Sequence, residues 1–313
     1  MEVVTFEAIQ NPPIVFSKEF FRYLNSAIDG ERIFLAHKNA IMPIILKNKL
    51  FFKIGYCSHP PLKGGCKLTE EEEVDFFCEL GAFLKRSKLI DFIVAPIHIE
   101  NFSHIPVDGV GHKIGIIRLS LKNKSEDEIF SSFKSMYRNL IRKALKEDVS
   151  VKFGMDCFDD FYNLYREKLV LENASYDSYE VVKNLAISLD KKGQMICAVA
   201  YYNKMPNAGV LNIQDGKNAY YLWAGTANNA HAGSLRLLHW EIIKIYLEKG
   251  IENYRMGAAR EGDLLNEKHA RLLAFKTGFG CEVDEGFHFT FISNKWKFKL
   301  YTILLNLKSF LKR

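Results

Sequence analysis

The 313-residue sequence has no paired cysteines. Its six, Cys57, Cys66, Cys78, Cys157, Cys197 and Cys281, are scattered, and none forms a C-x-x-C unit. That spacing argues against a thiolate zinc centre or a disulfide framework and predicts free thiols in a reducing compartment. No apolar run approaches the roughly 18 residues needed to span a bilayer. Met1–Gln10 carries acidic residues and no long apolar stretch, so no cleavable leader is expected and the predicted location is cytoplasmic. Also missing are a G-x-S-x-G elbow, an H-E-x-x-H pair and a P-loop lysine motif. The nine histidines include no pair at metal spacing on a helix, so no metal site is expected. Strong basicity is absent too. A formal charge of +6 permits an anionic partner without demanding one.

What remains is a chain with 48% hydrophobic and 26% charged residues, enough for one large or two medium cores. The Asn11-Pro12-Pro13 break precedes an amphipathic helix over Phe16–Ala27. Strands follow at Arg32–Ala36, Ala40–Leu46 and Leu50–Ile54. Thr69 and the glutamates after it start a helix reaching about Lys85, and Leu89–Ala95 and Lys113–Leu121 read as strands. The order then recurs: helices Phe158–Glu172 and Tyr179–Leu189, strands Gln194–Tyr202, Gly209–Gln214 and Asn218–Trp223, helix Ser234–Glu248, strand Glu252–Met256. The fold class expected is α/β with mixed sheets, as two facing copies of one unit. The predicted boundaries are a first domain over 1–122, a connecting basic helix over 123–147, a second domain over 148–294 and a tail over 295–313.

The connecting helix, Glu126–Lys146, has Ile129, Phe133, Met136, Leu140 and Ala144 at buried spacing. Lys134, Arg138, Arg142 and Lys146 lie four apart on the other side, flanked by Lys143. A solvated face and an anion-binding face are equally consistent with that stripe. Like charges at this spacing repel, and arginine grips phosphate in a bidentate fork. The tail Lys295–Arg313 is basic and amphipathic, either a helix packed on its own domain or a shallow contact with an anionic membrane surface.

The most legible unit is Gly233–Gly280. Leu235, Leu238, Ile242, Ile245 and Tyr246 recur at helical spacing, and Gly250 stops the helix as a left-handed cap. A short strand and a second helix over Leu264–Phe275 lead to Lys276 and a Gly-Phe-Gly turn.

Tyr137-Arg138-Asn139-Leu140-Ile141-Arg142-Lys143-Ala144 resembles the R-N-I-R-K-A segment of the Fem-like branch of the GNAT acetyltransferase superfamily. Trp223-Ala224-Gly225-Thr226 is similar to its strand-end segment. Leu237–Ile243 with Gly250 and Tyr254 resembles its central helix and strand, and Phe275–Gly280 resembles its F-K-x-G-F-G close. The four stand in family order. The resemblance implies two tandem GNAT-like domains with a cleft between them for the acceptor. It also implies acyl or aminoacyl transfer, as in the aminoacyl-tRNA-dependent enzymes that build peptidoglycan cross-bridges. Three departures stand out. The family's Asp-Gly pair is replaced by Arg255-Met256-Gly257-Ala258-Ala259, and no heptad-bearing coiled-coil arm is present. The pyrophosphate loop is reduced to Asn228–Gly233.

From that resemblance Lys276 is the catalytic candidate, a fixed ammonium beside the reacting groups that steadies an oxyanion or holds an acceptor carboxylate. Arg138 and Lys143 would hold an anionic part of the acceptor, Trp223 and Tyr254 would wall the cleft, and Arg260 would lie on the loop beyond the strand. Gly233 and Ser234, at the helix N-terminus, would meet a coenzyme A pyrophosphate. No tightly bound cofactor is expected; the co-substrate is acyl-CoA or aminoacyl-tRNA. The reading is an N-acyltransferase or aminoacyltransferase acting on an anionic cell-envelope precursor, with tRNA and the inner membrane face as further partners. Its rival is a non-catalytic module that binds a lipid- or nucleotide-linked precursor.

Overall fold

The computed structural model describes residues 1–4, 14–57, 59–94, 100–260 and 267–310; side chains at 25–27, 260, 268 and 308–310 are also left aside. Two compact units emerge, one of Met1–Ile116 with Glu285–Arg313, the other of Ile117–Asp284.

The first unit contains β1 (Glu2–Val4), α1 (Lys18–Ile28), β2 (Glu31–His37), β3 (Ala40–Lys49), β4 (Phe52–Cys57), the short β5 (Leu62–Lys63) and β6 (Cys66–Lys67), α2 (Glu70–Ser87), β7 (Phe92–Val94) and the start of β8 (Gly109–Ser120). β2, β3 and β4 form an antiparallel meander. α2 then carries the chain to β7, which pairs in parallel with β4 from Ile54↔Phe92. Thr69 starts α2 as the sequence indicates: its hydroxyl accepts from the Glu72 N–H at 3.2 Å while Glu72 accepts from the Thr69 N–H at 3.1 Å. Ile44, Phe76, Phe77, Leu80 and Phe291 are central to the core.

The second unit runs through α3 (Glu126–Ser132), α4 (Ser135–Lys146), β9 (Ser150–Phe153), α5 (Phe158–Leu171), α6 (Tyr179–Asp190), β10 (Met195–Tyr202), β11 (Met205–Gln214), β12 (Asn218–Thr226), α7 (Ser234–Glu248), β13 (Asn253–Arg260) and α8 (Glu267–Thr277). β14 (Glu282–Ile292) returns the backbone to the first unit, where α9 (Lys295–Phe310) follows. The same motif appears in this unit: an antiparallel β10-β11-β12 meander, a helix, then β13 parallel to β12. The tandem α/β repeat read from the order of elements is therefore present.

Residues 123–147 are no connector. Ile129, Phe133, Tyr137, Ile141 and Ala144 lie in the second unit's core with Trp240 and Phe279. The single helix expected there breaks at Phe133, which is extended, and the Lys134 N–H donates to the Gly278 carbonyl at 2.9 Å. The break rephases α4, so Tyr137 and Ile141 turn inward while Met136 is 56% exposed. The predicted tail also belongs to a unit. α9 packs Phe298 and Tyr301 onto Phe52 and Phe92 of the first.

α7 matches its expected span, and its C-terminal end is locally encoded. Gly250, at φ +70°, lets its N–H reach the Leu247 carbonyl and the Ile251 N–H reach that of Tyr246. Its buried face is wider than one stripe. Trp240 is also inside, covered by Phe130 and Phe133, and so is His239, covered by Tyr221, Tyr254, Phe275 and Phe279.

Candidate active site

The second unit has a fork in its sheet. β12 and β13 run parallel, and among the described residues their ladder holds only Asn218↔Asn253, Ala219↔Tyr254 and Tyr220↔Arg255. Beyond it β12 continues to Thr226 on β11 and β13 continues to Arg260, so their facing edges are released from each other. Strand edges carry N–H and C=O groups that need partners, and an extended, amide-bearing chain supplies them.

A bulge sits at the mouth of the fork. Leu211 faces Trp223 and Asn212 faces Tyr221, leaving Leu222 as the extra residue in β12. One inserted residue reverses which side chains face which layer. Tyr221 lies against His239 of α7, ring centroids 5.0 Å apart. Trp223 points to the other layer, where its Nε1 donates to Asp177 Oδ2 at 3.0 Å, beside the Tyr165 hydroxyl that accepts from the Asp177 N–H.

Lys276 reaches the fork from the last turn of α8. Gly257, the first glycine of β13 past the paired stretch, has φ +92°, and a Cβ placed there would stand 3.1 Å from Lys276 Nζ. A side chain at 257 would be strained by its backbone and would push the ammonium away. The positive charge of Lys276 is felt nearby: with burial as the larger cause, it helps hold the His239 pKa down at about 3. It also opposes the burial that pushes the Cys281 thiol up to about 12. His239 is therefore a neutral imidazole and Cys281 a protonated thiol at neutral pH, which leaves neither as a strong base nor as a thiolate.

Beneath the fork lies a buried polar cluster. Asn212 Nδ2 donates to the hydroxyls of Tyr246 at 2.9 Å and Tyr254 at 3.0 Å. The Tyr254 hydroxyl is 3.1 Å from His239 Nδ1, so it donates there and leaves the His239 proton on Nε2. That Nε2 has no hydrogen-bond partner among the described residues. Burial pushes the Tyr254 hydroxyl pKa well above its ordinary value.

The other predicted site residues are placed as follows. Tyr254 is fully buried under the fork rather than walling it, and Trp223 holds the Asp177 loop. Arg138 donates to the Ser131 carbonyl at 2.9 Å and to that of Phe133, binding the exposed end of α3. Its neighbour Arg142 lies 5.4 Å from the Phe130 ring centroid. Lys143 is exposed, 3.8 Å from Glu147. The Arg260 side chain lies outside the described residues, as does Glu261. Nothing in the sequence marks Tyr221, Leu222 or Asn212. Gly257 is visible there only as a departure from the family pattern.

Gly233 and Ser234 do not offer an open anion cradle. The Gly233 N–H donates to His231 Nδ1 at 3.2 Å and the Ser234 N–H to the His231 carbonyl at 3.0 Å. The Ser234 hydroxyl donates to Asn207 Oδ1 at 3.0 Å, and His231 is latched to Glu147 at 2.7 Å. These two donors are spent inside the protein, so they do not fit a coenzyme A pyrophosphate. The fork, by contrast, fits the amide-bearing arm of a donor. A cavity of about 560 Å³ in the first unit, between α2 and the His104–Asp108 loop, contains none of the predicted residues.

Comparison with known proteins agrees with this geometry. Residues 131–269 match the family model described as an acetyltransferase (GNAT) domain, and the match falls within the forked second unit. The structure titled as that of FemX superposes with a TM-score of 0.72 at 14% identity, covering 96% of this chain and 99% of that one. The C-terminal domain of a putative lysylphosphatidylglycerol synthetase from Agrobacterium fabrum gives 0.55 at 14% identity, with 90% of each chain covered. L-PGS from Bacillus licheniformis gives 0.54 at 10% identity, covering 89% and 93%. At these identities the structures establish the shared fold, which is the one that the resemblance to the Fem-like branch implied. No curated protein sequence matches the chain.

Proposed function

We propose that this protein is an acyltransferase that moves an activated acyl or aminoacyl group onto an amino group of a cell-envelope precursor. The observation that carries the reading is the position of Lys276, its ammonium beside Gly257 where β12 and β13 part. The donor's carbonyl is presented at the mouth, and a coenzyme A donor would also lay its amide-bearing arm along the open edges. The amine lone pair attacks that carbonyl, forming a C–N bond and an oxyanion that the Lys276 charge stabilises. Collapse breaks the C–O or C–S bond, the amine's proton passes to water, and the leaving group is protonated in turn. With Cys281 a thiol and His239 neutral and buried, direct transfer is favoured over an acyl-enzyme through either.

The spent donors at Gly233 and Ser234 weigh against a pyrophosphate held by those two groups, while the open strand edges suit the amide-bearing arm of a coenzyme A thioester, so the choice between thioester and aminoacyl ester is the one the donor panel makes. One structural neighbour carries the name of a putative lysylphosphatidylglycerol synthetase, which supports aminoacyl transfer to an envelope molecule, there to a hydroxyl rather than an amine.

The test is a donor panel. Purified protein is titrated with acetyl-CoA and with charged tRNA, then incubated with amine-bearing envelope precursors while product mass is followed. Transfer from either donor supports the reading. Saturable binding of a precursor with no transfer from any donor supports the non-catalytic module instead.

A further inference from the structure

The charge of this chain is concentrated at one end. Residues 295–313 contain five lysines, one arginine and no acidic residue, while the other 294 carry 37 basic and 37 acidic residues. The entire formal charge of +6 therefore belongs to α9 and the three residues after it.

α9 has two apolar faces, and only one is used. Phe298 and Tyr301 face inward: the Tyr301 ring centroid is 5.2 Å from that of Phe52, and the Phe298 centroid is 5.3 Å from that of Phe92. Lys297 completes the anchor, reaching Asp91 Oδ2 and the Phe51 carbonyl, each at 2.9 Å. Trp296, Leu300, Ile303, Leu304 and Leu307 occupy about 100° of arc on a different side of the helix. All five are exposed, Trp296 at 83%. Lys295 and Lys299 are exposed on the flank of that arc.

A second element adds to the face. The Lys297 contact sets the β3–β4 hairpin tip beside the first turn of α9, and that tip is Leu50-Phe51. Leu50 is 84% exposed and has φ +56°, a conformation that a tight hairpin normally gives to Asn or Gly. A bulky apolar residue is strained there and gains nothing from water. Lys49 adjoins it, its Nζ 5.7 Å from the Tyr301 ring centroid.

We infer that α9 and the Leu50-Phe51 tip form a docking face for an anionic lipid bilayer. The helix lies in the interface with its open apolar side among the acyl chains, and the lysines contact the headgroups. At 16 residues α9 is short for a span, and no described helix is long and apolar enough to cross a membrane. An exposed tryptophan beside lysines is the composition such interfaces favour. Charge argues for lipid over a second copy of the chain: two copies of this face would oppose lysine with lysine. Lipid docking here is independent of the transfer chemistry.

The protein contains its own probe. Of its three tryptophans, Trp223 and Trp240 are buried and Trp296 is not. Full-length protein is mixed with vesicles of phosphatidylcholine alone or with about one-third phosphatidylglycerol. The expected result is flotation with the anionic vesicles, a blue shift of emission that Trp296→Phe abolishes, and release by salt. Lys295→Gln with Lys299→Gln weakens binding about 25-fold, at about fivefold per lysine. Leu50→Glu, on an exposed turn, weakens it independently of the helix. Failure to float, or equal binding to neutral vesicles, overturns the proposal. So does a vesicle-free blue shift that grows with protein concentration alongside dimer formation, which would assign the face to a second copy.

Discussion

Replacing Lys276 with methionine removes one charge from the mouth of the fork. The methionine retains most of the aliphatic stem at a half-buried position. Stability should change by no more than about 1 kcal/mol, or about 2–4 °C in melting temperature for a unit of this size. Turnover should respond on another scale. A single preorganised donor to a developing oxyanion is worth about 10²–10³ in kcat, roughly 3–4 kcal/mol. Donor KM should hold if the ammonium acts on the transition state rather than on binding. Gly257→Ala supplies a second route to the same centre, since the new methyl would stand 3.1 Å from Lys276 Nζ on a backbone at φ +92°. It should lower kcat by displacing the ammonium while leaving Lys276 in the sequence. Initial rates at saturating donor, read beside thermal melts of the same preparations, separate the two scales. A Lys276→Met enzyme within about threefold of wild-type kcat refutes the assignment, because that leaves under 1 kcal/mol for the charge to supply.

Two further substitutions probe the frame. Gly278→Ala places a methyl 2.4 Å from Tyr137 Cζ, an overlap that should cost about 1–3 kcal/mol and lower the melting temperature by about 3–10 °C. Adding Tyr137→Leu should return part of that loss, and a single variant that melts with wild type contradicts the contact. His239 predicts a pH effect. Its folded pKa, about 3, lies below the ordinary 6.5, so only the unfolded chain takes up its proton between those values. Its contribution is intact above pH 6.5 and is lost as pH falls toward 3. Between pH 6.5 and about 5 the loss is about 2 kcal/mol. In urea titrations His239→Gln should show a pH slope smaller by that amount; equal slopes would mean that the imidazole is not held neutral.

How far the sequence reveals this molecule depends on where each constraint comes from. α7 is legible to the residue because its period and Gly250 are local. The division between α3 and α4 is not, since Phe133-Lys134 reads as continuous helix and the break is imposed by the Gly278 carbonyl, distant in sequence. The bulge at Leu222 likewise has no glycine or proline to announce it, so the resemblance that would have Trp223 wall the cleft could not anticipate its turn toward Asp177. The same distinction separates the cations. Arg138 and Lys276 look alike in a sequence, each in a family-like string near a helix end. Arg138 follows a helix that stops in mid-run, and the carbonyls freed at Ser131 and Phe133 claim its guanidinium. Lys276 stands where α8 ends against β13, and a glycine leaves its ammonium room at a strand edge. The anion-binding stripe read from spacing alone therefore counts one cation, Arg138, that the fold commits to a helix end. The missing side chain at Gly257 is what lets Lys276 Nζ come this close to β13, a constraint between residues distant in sequence that no spacing carries.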